Sequence, residues 1–222
     1  MLKKVCVAMA MASAFVSLPA QSVTVFSFNN VFAGNSPSSS SPWASLSISN
    51  NVGGVSLTLT SSLEIAGEFI PALYLNTNDK TTTASGGALV SGTFALPTVV
   101  SNVNGISGGP AGAFDLSINF ATSNSNGARF DGLDEYTVAL SGLTESDFLS
   151  NSQCNPGGGP ENCPRTAVLR LQGLGAGNEG SAWADDINRP PNAIPIPAAA
   201  WLLGSGLLAM GAIGRRRMSA RV

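Results

Sequence analysis

The 222-residue chain contains no histidine. That removes the commonest general base and the commonest transition-metal ligand near neutral pH. Cysteine is scarce as well: Cys6, Cys154 and Cys163 are the whole supply, too few for a four-ligand zinc site without histidine. The spacing Gly-x-Ser-x-Gly occurs at 105–109 around Ser107, but with no histidine in the chain that serine lacks the base of a Ser-His pair, and Gly204-Ser205-Gly206 falls inside an apolar run. The ligand spacing of an EF-hand is missing, and there is no clean internal repeat. Basic residues are also few in the middle of the chain. Between Gln21 and Ile196 five basic residues (Lys80, Arg129, Arg165, Arg170, Arg189) face all thirteen acidic ones, a net charge of −8. The whole-chain value of −2 hides this, because the other six basic residues sit in the two ends. An acidic body argues against nucleic acid or an anionic lipid surface as partner.

The two ends carry targeting patterns. Residues 1–20 read as a secretory signal peptide: Lys3 and Lys4 are the basic region, Val5 to Leu18 the apolar region, and Leu18-Pro19-Ala20 the cleavage site. Its removal takes Cys6 with it and leaves two cysteines in an oxidising compartment. Cys154 and Cys163 bracket a Gly/Pro-rich loop, and a disulfide there contributes about 2.5–3 kcal/mol in the chain-entropy model. A metal pair is the rival reading, with no second pair to complete it.

At the other end the sixteen residues Ala198 to Ile213 carry no charge. As a helix they would rise roughly 24 Å, short of the ~30 Å hydrocarbon core of a bilayer. Trp201 lies at one end, at headgroup level, and Arg215, Arg216 and Arg217 lie at the other, where they can snorkel. The positive-inside rule then places the C-terminus, including a short tail at 218–222, in the cytoplasm. No GxxxG occurs on this run before Gly214, so a helix-dimer motif is unsupported. A buried core helix, a plain membrane anchor and a processed sorting signal all fit an apolar run of this length.

The order of parts narrows this. A Pro-x-Pro hinge (Ile194, Pro195, Ile196, Pro197), then AAAWLLGSGLLA from Ala198 through Trp201, then Arg215–Arg217, resembles the PEP-CTERM sorting domain. More closely it resembles the variant whose hinge reads VPLPA, with Ile194 in place of Val and Ile196 in place of Leu. The likeness covers residues 194–217. It implies processing by an exosortase, a membrane protease-transpeptidase, in a bacterium that makes exopolysaccharide. Pro195 and Pro197 would be the recognition residues, since they hold the hinge extended. A glycosylphosphatidylinositol signal lacks such a basic tail. The segment Tyr136–Trp183 (an alternating strand, GLTESDF, a Cys-bounded loop, VLRLQGL) is also similar to the terminal part of many secreted PEP-CTERM proteins. That supports the class and adds no activity.

Between the ends the chain reads as all-β: one antiparallel β-sandwich ectodomain over 21–183, a linker over 184–193 rich in proline, and one transmembrane helix at 198–213. About 176 residues suffice for one core. Apolar residues alternate at Leu46/Ile48, Val55/Leu57/Leu59, Phe114/Leu116/Ile118/Phe120, Tyr136/Val138/Leu140 and Ala167/Leu169/Leu171. Further strands are expected at Val23–Phe28, Ala72–Leu75 and Gly92–Leu96. Gly34-Asn-Ser-Pro and Asn102-Val-Asn-Gly read as separators, and the serine-rich Asn35–Pro42 as a surface loop or linker. Thr144, ahead of Glu145 and Asp147, predicts one helical turn.

Chemistry is thin in this composition. Carboxylates that could pair for glycoside hydrolysis are Glu64 with Glu68, Asp131 with Asp134 and Glu135, and Asp185 with Asp186, but solvated loop acids are much the simpler account. Asn124, Asn126, Asp131, Asp134 and Glu135 offer oxygen ligands for calcium, though Asn/Asp-rich turns need no metal. Trp43 and Trp183 are the candidate carbohydrate-contacting aromatics, each with a core or rim role as the simpler account. The expectation is a non-catalytic exported surface or matrix protein. It takes no cofactor and no metal, and binds no nucleic acid. It meets the general secretion machinery, the inner membrane and an exosortase-type protease, with exopolysaccharide as a further partner. The alternatives are a carbohydrate- or calcium-binding adhesion module on a plain anchor, and a surface hydrolase.

Overall fold

Period-two alternation of apolar and polar residues builds eleven strands in the computed structural model, which describes residues 23–154 and 164–186. They are β1 (Val23–Phe28), β2 (Asn30–Gly34), β3 (Ala44–Asn51), β4 (Gly54–Ser61), β5 (Phe69–Leu75), β6 (Ala84–Ser91), β7 (Thr98–Ser107), β8 (Ala113–Asn119), β9 (Glu135–Ser141), β10 (Ala167–Leu174) and β11 (Gly180–Asp185). All pairings are antiparallel. One sheet has the order β1-β3-β4-β9-β6 and the other β2-β11-β10-β5-β8-β7. Leu46, Ile48, Leu57 and Val138 of the first sheet share one buried cluster with Leu73, Leu116, Ile118 and Leu169 of the second. The two sheets therefore enclose a common core, the arrangement of a β-sandwich. The described residues lie within one compact unit, Gln21–Ile194. Among them no helix is long and apolar enough to cross a membrane. The signal at 1–20 and the expected helix at 198–213 lie outside the described residues.

The strands expected from alternation at β1, β3, β4, β5, β8, β9 and β10 are present. The turn after Thr144 is a 3-10 turn, Glu145–Leu149, and the Asp147 carboxylate reaches back to accept the Thr144 N–H at 2.8 Å. Four expectations need correction. Gly92–Leu96 is not a strand: the left-handed φ of +97° at Gly92 turns the chain there, against the Asp134 carboxyl. The segment still delivers Phe94 to the core, where it meets Phe130 edge-on at 4.8 Å between ring centroids. Asn102-Val-Asn-Gly is not a separator but an irregularity inside β7, where the register with β8 shifts between Ser101 and Ile106. Asn35–Pro42 is not a linker: Ser39 within it is buried and hydrogen-bonded. Ala184 and Asp185, expected to open the proline-rich linker, belong to β11, paired with Leu169 of β10 and with Val31 and Asn30 of β2.

Two details explain how an irregular sequence keeps the ladders. Pro71 lies inside β5, where the missing N–H would break pairing, and the β5–β10 register shifts at this point, between Ala72 and Phe69. The chain leaves the first sheet after β1 and enters the second at β2 one residue later, so consecutive strands close that side of the sandwich. The opposite side is bounded by β6 and β7, the far edges of the two sheets.

Candidate functional site

The sorting residues Ile194, Pro195, Ile196, Pro197, Ala198, Trp201, Arg215, Arg216 and Arg217 all lie outside the described residues. Cys154 is disulfide-bonded, which removes it from thiolate metal chemistry. Cys163 lies outside the described residues.

Of the carboxylates proposed as pairs, Glu68, Asp134, Asp185 and Asp186 are engaged in hydrogen bonds or ion pairs. Glu68 is buried and accepts hydrogen bonds from the Ser38 N–H at 2.6 Å and the Ser39 hydroxyl at 2.6 Å. The same Ser39 oxygen accepts the N–H groups of Glu64 and Ile65, and the Ser39 carbonyl accepts the Trp43 indole N–H at 2.9 Å. Glu68 thus anchors the serine-rich loop. Asp185 is ion-paired to Arg165 and accepts from the Asn30 amide, while Asp186 accepts the Ser27 N–H at 2.9 Å. These two acids tie β11 and its exit to β1 and β2.

Among the calcium candidates, Asp131 and Asp134 meet in one turn. Asp134 Oδ2 accepts the Asp131 N–H at 2.9 Å, and Glu135 lies in β9 opposite Thr60 and Ser91. Among the described residues no three His, Cys, Asp or Glu side chains are grouped to hold a metal ion. Burial raises the pKa of Asp134; hydrogen bonds from Asp131 and Thr93 only partly offset that, and the charge of Asp131 adds to it. Burial likewise raises Asp131, with the nearby Arg129 charge in opposition.

Trp43 is buried, so it offers no face to a saccharide. Trp183 is half-buried on the outer face of the six-stranded sheet. It packs there with Tyr74 at 5.6 Å, and Arg170 lies over its ring at 4.9 Å. Phe114, expected on the core face with Leu116 and Ile118, joins this outer cluster with Ala111 and Val168. The 3-10 turn Gly109–Ala111 covers it: a Cβ on Gly109 would lie 2.4 Å from the Trp183 ring.

Beside that cluster runs a groove of about 410 Å³, lined chiefly by Phe69, Thr122, Arg129, Arg170, Gln172 and Asn178. Arg129 lies over the Phe69 ring at 4.0 Å and donates its Nε–H to the Thr122 carbonyl at 2.9 Å. Arg170 Nε is buried and has no hydrogen-bond partner among the described residues. Burial raises the pKa of the adjacent Tyr74 phenol, and the Arg170 charge opposes that rise. Sequence reading missed this groove. The signal within reach was the small number of arginines in an acidic body.

A second polar cluster is structural. Asp115, fully buried in β8, accepts N–H bonds from Thr77 at 2.9 Å, Asp79 at 3.2 Å and Asn104 at 2.8 Å. It fixes the turn after β5 and the irregular part of β7 together.

What the fold defines is a class, an antiparallel two-sheet β protein, here with a net negative body. Comparison of the chain with family models, curated proteins and solved structures gave no match.

Proposed function

We propose that the protein is a non-catalytic exported surface or extracellular-matrix component of a bacterium, sorted by its C-terminal segment. The observation that carries this reading is the ordered series of Pro195–Pro197 hinge, uncharged run from Ala198 and Arg215–Arg217 cluster, together with the N-terminal signal pattern. The general secretion machinery exports the chain, the apolar run holds it in the inner membrane, and an exosortase-type protease acts near the hinge. The engagement of Glu68, Asp115, Asp147 and Asp185 in backbone and ion-pair bonds supports a structural rather than catalytic body.

Mass spectrometry of the mature protein from its host tests the sorting step. A C-terminal peptide that stops at or near Pro197 is expected. Recovery of the chain intact to Val222 would overturn processing and leave a plain anchor. A Pro195→Ala, Pro197→Ala double variant should accumulate unprocessed, because an unrestrained hinge no longer presents an extended strand to the protease.

A further inference from the structure

The groove on the outer face of the six-stranded sheet is a binding site, and we infer that its ligand is an acidic saccharide, a sugar chain carrying uronate carboxylates. The inference is independent of how the C-terminus is processed. Four observations carry it. First, the body holds thirteen acids against five basic residues, yet Arg129 and Arg170 line one groove. Second, among the described residues Lys80 is ion-paired with Asp147 and Arg165 with Asp185, whereas neither Arg129 nor Arg170 has a carboxylate within ion-pair distance, the charge of Asp131 reaching Arg129 only from further off. Third, each of these two guanidinium groups is held over an aromatic ring, Phe69 or Trp183, so its orientation is set before any ligand arrives. Fourth, the lining around the two arginines is almost wholly polar.

The rest of the lining selects the ligand class. Gln172, Asn178, Thr122 and Ser181 supply amides and hydroxyls in both donor and acceptor roles. Little of the lining is apolar, so the groove has little to offer a hydrophobic side chain of a peptide. A uronate matches it: the carboxylate meets the guanidinium forks in bidentate fashion, and the ring hydroxyls meet the neutral polar groups. Glu179 is the one acidic residue on the lining and is exposed, so it adds selection against dense negative charge. A sparsely charged uronate chain satisfies both.

Isothermal titration of the full-length chain with trigalacturonate, with the neutral galactotriose, and with hexaglutamate tests this. Trigalacturonate should bind, weaken as salt rises, and lose at least about tenfold in affinity in Arg129→Gln and in Arg170→Gln. Lys80→Gln removes the same charge away from the groove and should leave affinity within about twofold. If Arg170→Gln lowers the melting temperature, Arg129→Gln and Gln172→Ala decide the matter. No binding of trigalacturonate, or equal loss with Lys80→Gln, would overturn the site. Equal binding of galactotriose or hexaglutamate would overturn the acidic-saccharide assignment.

Discussion

Single buried carboxylates decide much of this fold. Asp115 takes three backbone N–H groups at once, and no solvent reaches it to replace them. Asp115→Asn keeps the shape but turns one acceptor oxygen into a donor facing N–H groups. It should cost about 1–3 kcal/mol, read as a lowered midpoint in urea unfolding. Two other carboxylates move in opposite directions with pH. Burial disfavours the charge on Asp147, but the Lys80 ammonium and the Thr144 N–H and hydroxyl outweigh it, and its pKa is lowered. Folding therefore favours ionised Asp147, and the stability it contributes is lost as pH falls through the lowered value. Lys80→Met should make acid unfolding shallower below about pH 4. Asp134 is raised by burial, so folding favours its protonated form, and stability declines as pH rises through the raised value. In Asp134→Asn that decline should shrink in melting curves taken between about pH 4 and pH 7, with Asp131, also raised by burial, keeping a share of it.

At the scale of the element, glycine placement and edge exposure matter most. Gly173 interrupts β10 with a φ of +77°, and a Cβ there would lie 1.9 Å from the Gly67 carbonyl oxygen. The position requires both the left-handed backbone and the close approach. Gly173→Ala should cost more than about 1 kcal/mol, and differential scanning calorimetry would show it. The strand β6 is exposed along its whole length and carries neither charge nor proline. Natural edge strands are usually blunted by such residues. Val90, half-exposed on β6, is the place to add one: Val90→Lys should slow aggregation in light scattering and leave stability within about 0.5 kcal/mol.

For the whole molecule, closure of the sandwich and covalent constraint act together. One side is sealed by the passage from β1 to β2, and the Asp185–Arg165 and Asp186–Ser27 bonds hold β11 against that corner. Cys154 is disulfide-bonded, just beyond the bridge that joins Gln153 to Ala113 at the start of β8. With Cys163 as its partner, the closed loop of about ten residues is worth about 2.5–3 kcal/mol. Cys154→Ser and Cys163→Ser should destabilise the protein equally by that amount, and a non-reducing peptide map should show the two cysteines linked.

The amino-acid sequence by itself determined the all-β class, the negative body and the strands that face the core. Alternation at Val55/Leu57/Leu59 or Tyr136/Val138/Leu140 is a local pattern, legible without knowing the partner strand. Local signals misled where the partner was distant. Gly92–Leu96 alternates like a strand, yet its role is to seat Phe94 among Phe120, Phe130 and Tyr136. Ala184 and Asp185 look like linker, yet they complete a ladder with β2 from the start of the chain. Only the tertiary structure decided which acids are structural and which arginines line a groove. The reason is separation along the chain: Thr77 meets Asp115 across 38 residues and Thr24 meets Glu145 across 121. No window of sequence spans such pairs, and burial, which sets their energetics, exists only once the sheets have packed.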